Sequence, residues 1–409
     1  MLTRLRFFTR WKPSPRTPLA LAALCAAWLL ALPGVAAADG IRNSQQWVLD
    51  MLRVPQAWSR SEGAGVTVAV IDSGVNPRVS DLVGSVIPGP DYTGVRTGPS
   101  SPHWGVHGTW MASLVAGHGH GGGSGSGVIG VAPMARILAI RVIPDRDDPH
   151  YRQYSREPEN RIQGSLADGI DYAVAHGAKV ISMSIGYNAP SGIVKRALQR
   201  AYDHGVVVVA SAGNSGDVAG AGRAGHAPDS FPAEYPGVIG VSAVNVRGVV
   251  AGFSSDNLSV KVAAPGVAVL AQGRDGQYWS VSGTSPACAL VAGIAALIKS
   301  TYPHLAPNLV ASALTSTTTE RPAAGYDSRV GFGIVDASAA LARAGQLFRD
   351  QPEATGVAAT ARYRGPAAAG PVRPRGSGRL AGYAAAALAC LALAGAAAAR
   401  LVILRRTRR

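Results

Sequence analysis

The sequence is poor in cysteine, and this scarcity excludes a fold held together by internal disulfides. Of three cysteines in 409 residues, Cys25 and Cys390 lie in apolar runs near the two ends of the chain. Cys288 is therefore alone in the central region, where no intramolecular disulfide can form. A domain of this size can be stabilised by its hydrophobic core alone, so the absence of disulfides does not identify the compartment.

Acidic residues are missing from both ends of the chain. Residues 1–38 contain five basic and no acidic residues, and residues 379–409 contain six basic and none acidic. Most of the net charge of +15 therefore belongs to the ends, and the central part is close to neutral. Aromatic residues make up only 6%, and no basic patch has aromatics interleaved with it, so we expect no nucleic-acid binding.

The basic N-terminal residues precede a short apolar run. Residues 19–32 form a run of 14 residues, which is too short to span a bilayer comfortably, and Pro33 and Gly34 end it. Three alanines follow at residues 36–38 and offer small side chains to a peptidase. The pattern predicts a signal peptide over residues 1–38, and the alternative is an uncleaved anchor.

The C-terminal apolar run is longer. Residues 380–399 form 20 residues without a charge, and a helix of roughly 20 residues covers a hydrocarbon core about 30 Å thick. We predict a transmembrane helix over residues 379–404, with a soluble alanine-rich helix as the alternative. The basic tail, residues 405–409, would stay in the cytoplasm and the main domain outside it, at the cell membrane. Residues 350–378 are rich in Ala, Gly, Pro and Arg and predict a disordered linker.

Short apolar runs alternate with helical segments through residues 39–349. Several runs are apolar throughout, which is typical of a parallel sheet covered on both faces. The predicted strands are residues 66–71, 136–143, 179–185, 205–212 and 237–244. The predicted helices are residues 165–176, 191–204 and 285–301. This alternation predicts an α/β fold, a doubly wound, mostly parallel sheet with helices on both faces, whose ligands bind beyond the carboxyl ends of the strands.

Two polar residues lie at positions where this fold commonly carries functional side chains. Asp72 follows a fully apolar strand, and a half-buried carboxylate there needs a partner; the alternative is a turn cap. His107 opens a helical pattern, where a carboxylate could hold its imidazole; the alternative is a structural histidine. We take His103 to have no role in this site, and we expect His118 and His120, in a glycine-rich segment, to be solvated rather than metal ligands.

A serine and an asparagine complete this set. Ser285 stands between Gly-Thr and Pro286 at the start of an apolar helix, and by itself it could be an N-cap. Asn214 follows another strand, where its amide could donate to an oxyanion, although by itself it could be a turn residue. With Asp72 and His107 these residues supply a nucleophile, its base, an orienting carboxylate and an oxyanion donor.

Four motifs resemble those of the subtilisin-like serine peptidases: VIDSGV, HGTWMASLVAG, ASAGN and GTSPACALVAG. Their chain order, Asp, His, Ser, is that of subtilisin, and the resemblance extends over residues 45–345. It implies that Asp72, His107 and Ser285 are the catalytic triad of a serine endopeptidase that works through an acyl-enzyme. It also implies that Asn214 and the Ser285 backbone N–H form the oxyanion hole.

The order of segments is similar to that of the mycosins, membrane-anchored subtilases associated with type VII secretion in actinobacteria. That resemblance implies a polypeptide substrate and a membrane secretion complex as a partner. The alternative is a protease-fold scaffold that stabilises such a complex, with catalysis secondary. Because few residues precede Asp72, we also expect activity without removal of a pro-domain.

The resemblance also implies where a substrate binds. In the family the segments matching residues 182–186 and 210–214 line the pocket for the residue before the scissile bond. Ser184, Gly186 and Gly213 are the predicted substrate-binding residues, and their small size favours small or apolar side chains. We expect no cofactor and no metal in the site and leave a structural calcium ion open. The acidic segment at residues 145–150 is interpreted as an exposed insertion.

Overall fold

The computed structural model describes residues 40–216 and 227–351. The predicted signal peptide, the linker beyond residue 351, the transmembrane helix at residues 379–404 and the basic tail lie outside the described residues.

A seven-stranded sheet forms the centre of the described part of the chain. Its strands are β1 (Thr67–Asp72), β2 (Val86–Asp91), β5 (Arg136–Arg141), β6 (Val180–Met183), β7 (Val207–Ser211), β8 (Val238–Val244) and β9 (Val260–Pro265). They are arranged in the order β2-β5-β1-β6-β7-β8-β9, and every neighbouring pair is parallel. The predicted parallel sheet is confirmed. The two edge strands escaped prediction because β2 contains two prolines and Lys261 interrupts β9, so neither is a continuous apolar run.

Two antiparallel hairpins accompany the sheet. The first joins β3 (His118–His120) to β4 (Ser126–Ile129), and the second joins β10 (Val269–Gln272) to β11 (Tyr278–Val281). The second hairpin comes directly before Ser285, which gives it a place beside the candidate site.

Helices cover both faces of the sheet, as predicted. They are α1 (Gly40–Met51), α2 (Val54–Trp58), α3 (Val106–Ala116), α4 (Tyr151–Tyr154), α5 (Glu159–Ala175), α6 (Gly192–Asp203), α7 (Thr284–Thr301), α8 (Pro307–Ser316) and α9 (Ala337–Asp350). Alternate residues of β1 point to opposite faces: Val68 and Val70 pack with α3 and α7, whereas Ala69 and Ile71 pack with α5 and α6. Burial of both faces explains why the central strands are apolar throughout.

Helix α7 runs through the first of these cores. From Thr284 to Lys299 every residue is buried except Ser285, which is half-buried. By length and composition α7 could cross a membrane, and among the described residues it is the one helix that could. It lies inside the protein, however, with 83% of that stretch buried. A helix buried on all sides is a rigid base for the serine at its N-terminal end.

Candidate active site

Asp72 and His107 meet because strand β1 and helix α3 approach very closely. Gly74, with φ of +103°, lies against the Trp104 ring, where a Cβ would come within 2.7 Å of the indole. A Cβ on Gly108 would collide with the Gly74 carbonyl oxygen. The glycines that follow each functional residue therefore let the end of the strand contact the start of the helix.

The two side chains form a hydrogen-bonded pair of a buried carboxylate and a partly exposed imidazole. His107 Nδ1 lies 2.8 Å from Asp72 Oδ1, which also accepts the Ser73 backbone N–H at 2.7 Å. Asp72 is only 1% exposed, and its Oδ2 is buried without a hydrogen-bond partner among the described residues. Its negative charge is therefore poorly solvated and stabilises a positive imidazole beside it. Burial lowers the pKa of His107, but the charge of Asp72 and the hydrogen bond to it, joined by the charge of Asp145, leave this pKa above its ordinary value.

Asp145 holds the start of the helix that carries His107. Its two carboxylate oxygens accept the backbone N–H groups of Val106 and His107 at 2.9 and 2.8 Å. A carboxylate at these otherwise unpaired amides caps the helix and complements its dipole. Burial raises the pKa of Asp145, and the hydrogen bonds from these two amides act in the opposite direction.

The prediction that the acidic segment 145–150 is exposed is thus only partly right, because Arg146, Asp147 and Pro149 are exposed but its other two aspartates are buried. Asp145 and Asp148 are 6% and 4% exposed. Asp148 is buried because it pairs with the guanidinium of Arg141, which is itself 1% exposed, at 3.2 Å. Arg141 also contacts Asp91 at 2.7 Å and donates from Nε to the carbonyl oxygen of Ser73 at 3.1 Å. The segment therefore ties the end of β5 to the residue next to Asp72.

Ser285 lies in the first turn of α7, and the N-cap of this helix is Gly283. The serine is thus not itself the N-cap, the alternative role weighed for it. Its Oγ donates to the carbonyl oxygen of Ser184 at 3.4 Å, while Ser184 Oγ donates to the carbonyl oxygen of Ser285 at 3.1 Å. Within the described residues no hydrogen bond joins Ser285 to His107. These contacts fasten the start of α7 to the end of β6.

Asn214 is exposed and is oriented by Thr284. Its Oδ1 accepts both the backbone N–H and the hydroxyl of Thr284, each at 2.9 Å, and Thr284 Oγ1 accepts the Gly213 N–H at 3.2 Å. With Oδ1 occupied by two donors, the Nδ2 group is left to donate elsewhere, and it lies near Gly283, next to the start of α7. Thr284 is not among the predicted site residues, although it stands directly before the candidate nucleophile.

Of the three predicted substrate-binding residues, Gly186 and Gly213 lie around a small polar niche, whereas Ser184 contacts Ser285. A Cβ on Gly186 would come 3.1 Å from Ser230 Oγ, and one on Gly213 would come 2.9 Å from Ser255 Oγ and 3.2 Å from Ser230 Oγ. The two predicted glycines thus face a common neighbour. Ser230, which precedes Phe231 and Pro232, was missed because nothing in its local sequence indicates a site.

The remaining polar candidates have other partners. His103 pairs with Asp147 at 3.1 Å. His120 was expected to be solvated, but its Nδ1 lies 2.6 Å from the buried carboxylate of Asp81. Among the described residues no group of three or more His, Cys, Asp or Glu side chains could hold a metal ion. Cys288 is buried under Ser182, and burial raises the pKa of its thiol to about 12, so it is no nucleophile at neutral pH.

Comparisons with known proteins give this geometry a family. The profile of peptidase S8, the subtilase family, matches residues 63–333. The chain is 36% identical over 283 residues to subtilisin DY of Bacillus licheniformis. This alignment covers 68% of this chain and 92% of subtilisin DY. The chain is 34% identical over 326 residues to fervidolysin of Fervidobacterium pennivorans, covering 73% of this chain and only 44% of fervidolysin.

A solved structure has a fold similar to that of this chain. The crystal structure of MycP1 from Mycobacterium smegmatis is similar, with a TM-score of 0.60 and 30% identity, over 76% of this chain and 86% of that one. The fold is thus the subtilisin-like one that the motifs implied. On the length and identity of these matches, the chain belongs to the subtilase family of peptidases.

Proposed function

We propose that this protein is a serine endopeptidase whose triad is Asp72, His107 and Ser285, with Asn214 in the oxyanion hole. The observation that carries the proposal is the 2.8 Å pair between Asp72 and His107. It combines a desolvated carboxylate with an imidazole that is still 32% exposed and can reach a substrate. Such a pair is what a serine needs, because its hydroxyl is a poor nucleophile until a base removes the proton.

In the proposed reaction His107 Nε2 takes the proton of Ser285 Oγ as this oxygen attacks the scissile carbonyl. The hydroxyl must first leave its weak hydrogen bond to Ser184, 3.4 Å long, which costs little. Asp72 fixes the tautomer through Nδ1 and stabilises the imidazolium, which then protonates the leaving amine. Asn214 Nδ2 and the Ser285 N–H, at the positive end of α7, stabilise the oxyanion. Water hydrolyses the acyl-enzyme in the second half, and this chemistry needs no cofactor.

The niche around Gly186, Gly213 and Ser230 would hold the side chain before the scissile bond. Its described lining is small and carries no charge, and the Ser230 hydroxyl leaves little space. We therefore expect small or apolar residues there, with no requirement for Arg, Lys, Asp or Glu. The extended backbone after Ser184 would pair with the substrate as an added strand.

The location is proposed from the sequence and from the similar structures. Another structure of MycP1, described as an essential component of the type VII (ESX-1) secretion system, is 32% identical over 76% of this chain with a TM-score of 0.60. The basic N-terminal run and the uncharged run at residues 380–399 favour export followed by anchoring in the cell membrane. The protein would thus act outside the cytoplasm, as a mycosin beside a type VII secretion complex.

Labelling with a fluorophosphonate tests the triad. We expect the purified full-length protein in detergent to be labelled, and the Ser285→Ala and His107→Ala variants to lose labelling. Ser282→Ala is the matched control, because Ser282 is an exposed serine three residues upstream whose hydroxyl accepts the Ala268 N–H. Absence of labelling in the parent would contradict an assembled triad. Secretion that persists in a Ser285→Ala strain, but stops when the whole chain is deleted, would instead indicate the scaffold function.

A further inference from the structure

Two tryptophans extend the proposed site beyond the triad and the oxyanion hole. Trp110 lies one helical turn after His107 on α3, and the two rings meet edge to face with their centroids 6.3 Å apart. Trp279, on β11, packs against Trp110 with ring centroids 6.2 Å apart. A continuous aromatic surface therefore begins at the imidazole and leads away from it.

Trp279 is exposed and yet fixed in position. It is 48% exposed, one of the few large apolar side chains on the described surface. Its ring lies over Gly273, where a Cβ would come within 2.6 Å of it, and Nε1 donates to Asp275 at 3.3 Å. The tip of the β10-β11 hairpin is fastened in turn, because Asn76 Nδ2 donates to the carbonyl oxygen of Arg274 at 2.7 Å. A large apolar surface held in one place beside a cleft is a typical ligand contact.

The topology assigns this surface to one side of the scissile bond. The niche for the acyl part of the substrate lies beyond β6 and β7, on one side of β1. The two tryptophans are on α3, which packs on β1 and β5 away from that niche, and on the hairpin that precedes the serine and packs on α3. His107 must pass its proton to the leaving amine, so the leaving segment lies beside the imidazole that Trp110 contacts.

We propose that Trp110 and Trp279 form an aromatic wall that selects a large apolar, preferably aromatic, side chain within the first residues after the scissile bond. This inference rests on the proposed function and adds to it the class of substrate on the leaving-group side. An aromatic side chain stacked on Trp279 removes apolar surface of both partners from water. The two rings also attract each other, which adds to the binding free energy. Substrates with glycine at the corresponding positions lose both contributions.

Acyl transfer to added peptide amides isolates this side of the cleft. A small peptide ester acylates Ser285 and releases its alcohol, so every reaction shares one acyl-enzyme. Water or the free α-amino group of a peptide amide then attacks the ester carbonyl carbon. With the amine, the new C–N bond replaces the bond to Ser285 Oγ, and the amine's proton passes through His107 to that oxygen; with water, a C–O bond forms and the acid is released. The yield of peptide relative to acid measures capture by each nucleophile, here Phe-Gly-NH2, Gly-Phe-NH2 and Gly-Gly-NH2.

We expect the full-length protein to capture at least one Phe nucleophile about tenfold better than Gly-Gly-NH2. In Trp279→Ala this ratio should fall to about twofold or less, whereas Trp279→Phe should keep most of it. Phe348→Ala is the matched control, since Phe348 is also exposed and packs on a second aromatic, Tyr302, but lies on α9. Thermal unfolding shows whether Trp279→Ala is folded, and Trp279→Gln serves as the second variant if it is not.

Each result decides a different point. Equal capture of all three nucleophiles by the parent, or a preference for Phe that persists in Trp279→Ala, would overturn the aromatic wall while leaving the peptidase intact. A folded protein that neither cleaves the ester nor forms an acyl-enzyme would overturn the proposed function, and this inference with it.

Discussion

The proposed site consists of two halves that are built in different ways. The acid–base half, Asp72 and His107, depends on residues distant in sequence: Asp145 caps the helix of His107, and Arg141 binds the carbonyl oxygen of Ser73. The nucleophile half, Ser285 and Asn214, depends on Thr284, which adjoins the serine and orients the amide. The first half is secured by buried charges and the second by neutral hydrogen bonds at the end of a buried helix.

The difference implies that the halves fail differently. A buried charge that loses its partner destabilises the fold, because the remaining ion is left without water. A neutral hydrogen bond at an exposed amide contributes little to stability but fixes the direction of a donor. Replacing a residue that supports the acid–base half should therefore lower the free energy of unfolding. Replacing a residue of the nucleophile half should instead lower kcat.

The largest effect on stability is expected for Arg141→Met. The substitution leaves the carboxylate of Asp148 buried and removes the contact to the Ser73 carbonyl, so the free energy of unfolding should fall by about 3–5 kcal/mol. Denaturant unfolding of the full-length protein measures it. Arg200→Met is the matched control, because Arg200 pairs with Asp171 on the surface and should contribute no more than about 1 kcal/mol. Equal losses in both variants would mean that the buried network does not hold the acid–base half.

The sequence predicted the nucleophile half better than the support of the acid–base half. The contact that orients Asn214 joins two residues that both lie inside predicted motifs, Asn214 in ASAGN and Thr284 in GTSPA, so these motifs carry the geometry. The burial of Asp148 is not predicted from the sequence, because its partner Arg141 ends a strand whose middle is apolar, where sequence alone gives no sign of a charge pair. The strand-end rule that singled out Asp72 could have found Asp145, which follows β5 closely. The edge strands β2 and β9 were missed for a similar reason, since pairing on one side only imposes a weaker pattern.

The nucleophile half can be tested through the orientation of its amide. Asn214→Ala should lower kcat by about 10²–10³-fold with little change in KM, the loss that such a donor gives in subtilisin. Thr284→Val keeps the shape of the side chain but removes one of the two donors to Asn214 Oδ1, so we expect a loss of about tenfold. Steady-state kinetics of the same ester used for acyl transfer separates the two parameters. A rise in KM with unchanged kcat would show that Asn214 binds the ground state and not the oxyanion.

The smallest effect tests the electrostatics of the acid–base half. The acid limb of kcat/KM follows the protonation of His107, since only neutral imidazole can take the serine proton. Burial lowers the pKa of His107 and the charges of Asp72 and Asp145 raise it, so the limb should lie above the ordinary pKa of histidine. Asp145→Asn removes one of the charges that raise the pKa of His107 and should therefore move the limb to lower pH.

Asp147→Asn is the matched control for this shift, because Asp147 is exposed, pairs with His103 and makes no hydrogen bond to the helix of His107. Its acid limb should stay close to that of the parent, since water screens an exposed charge. If both variants moved the limb equally, the net charge of the segment would set the pKa of His107. The buried contact of Asp145 would then raise this pKa no more than an exposed charge does. If Asp145→Asn moved the limb upward instead, loss of the cap would have disturbed the imidazole itself, and the two halves would be coupled through the start of α3.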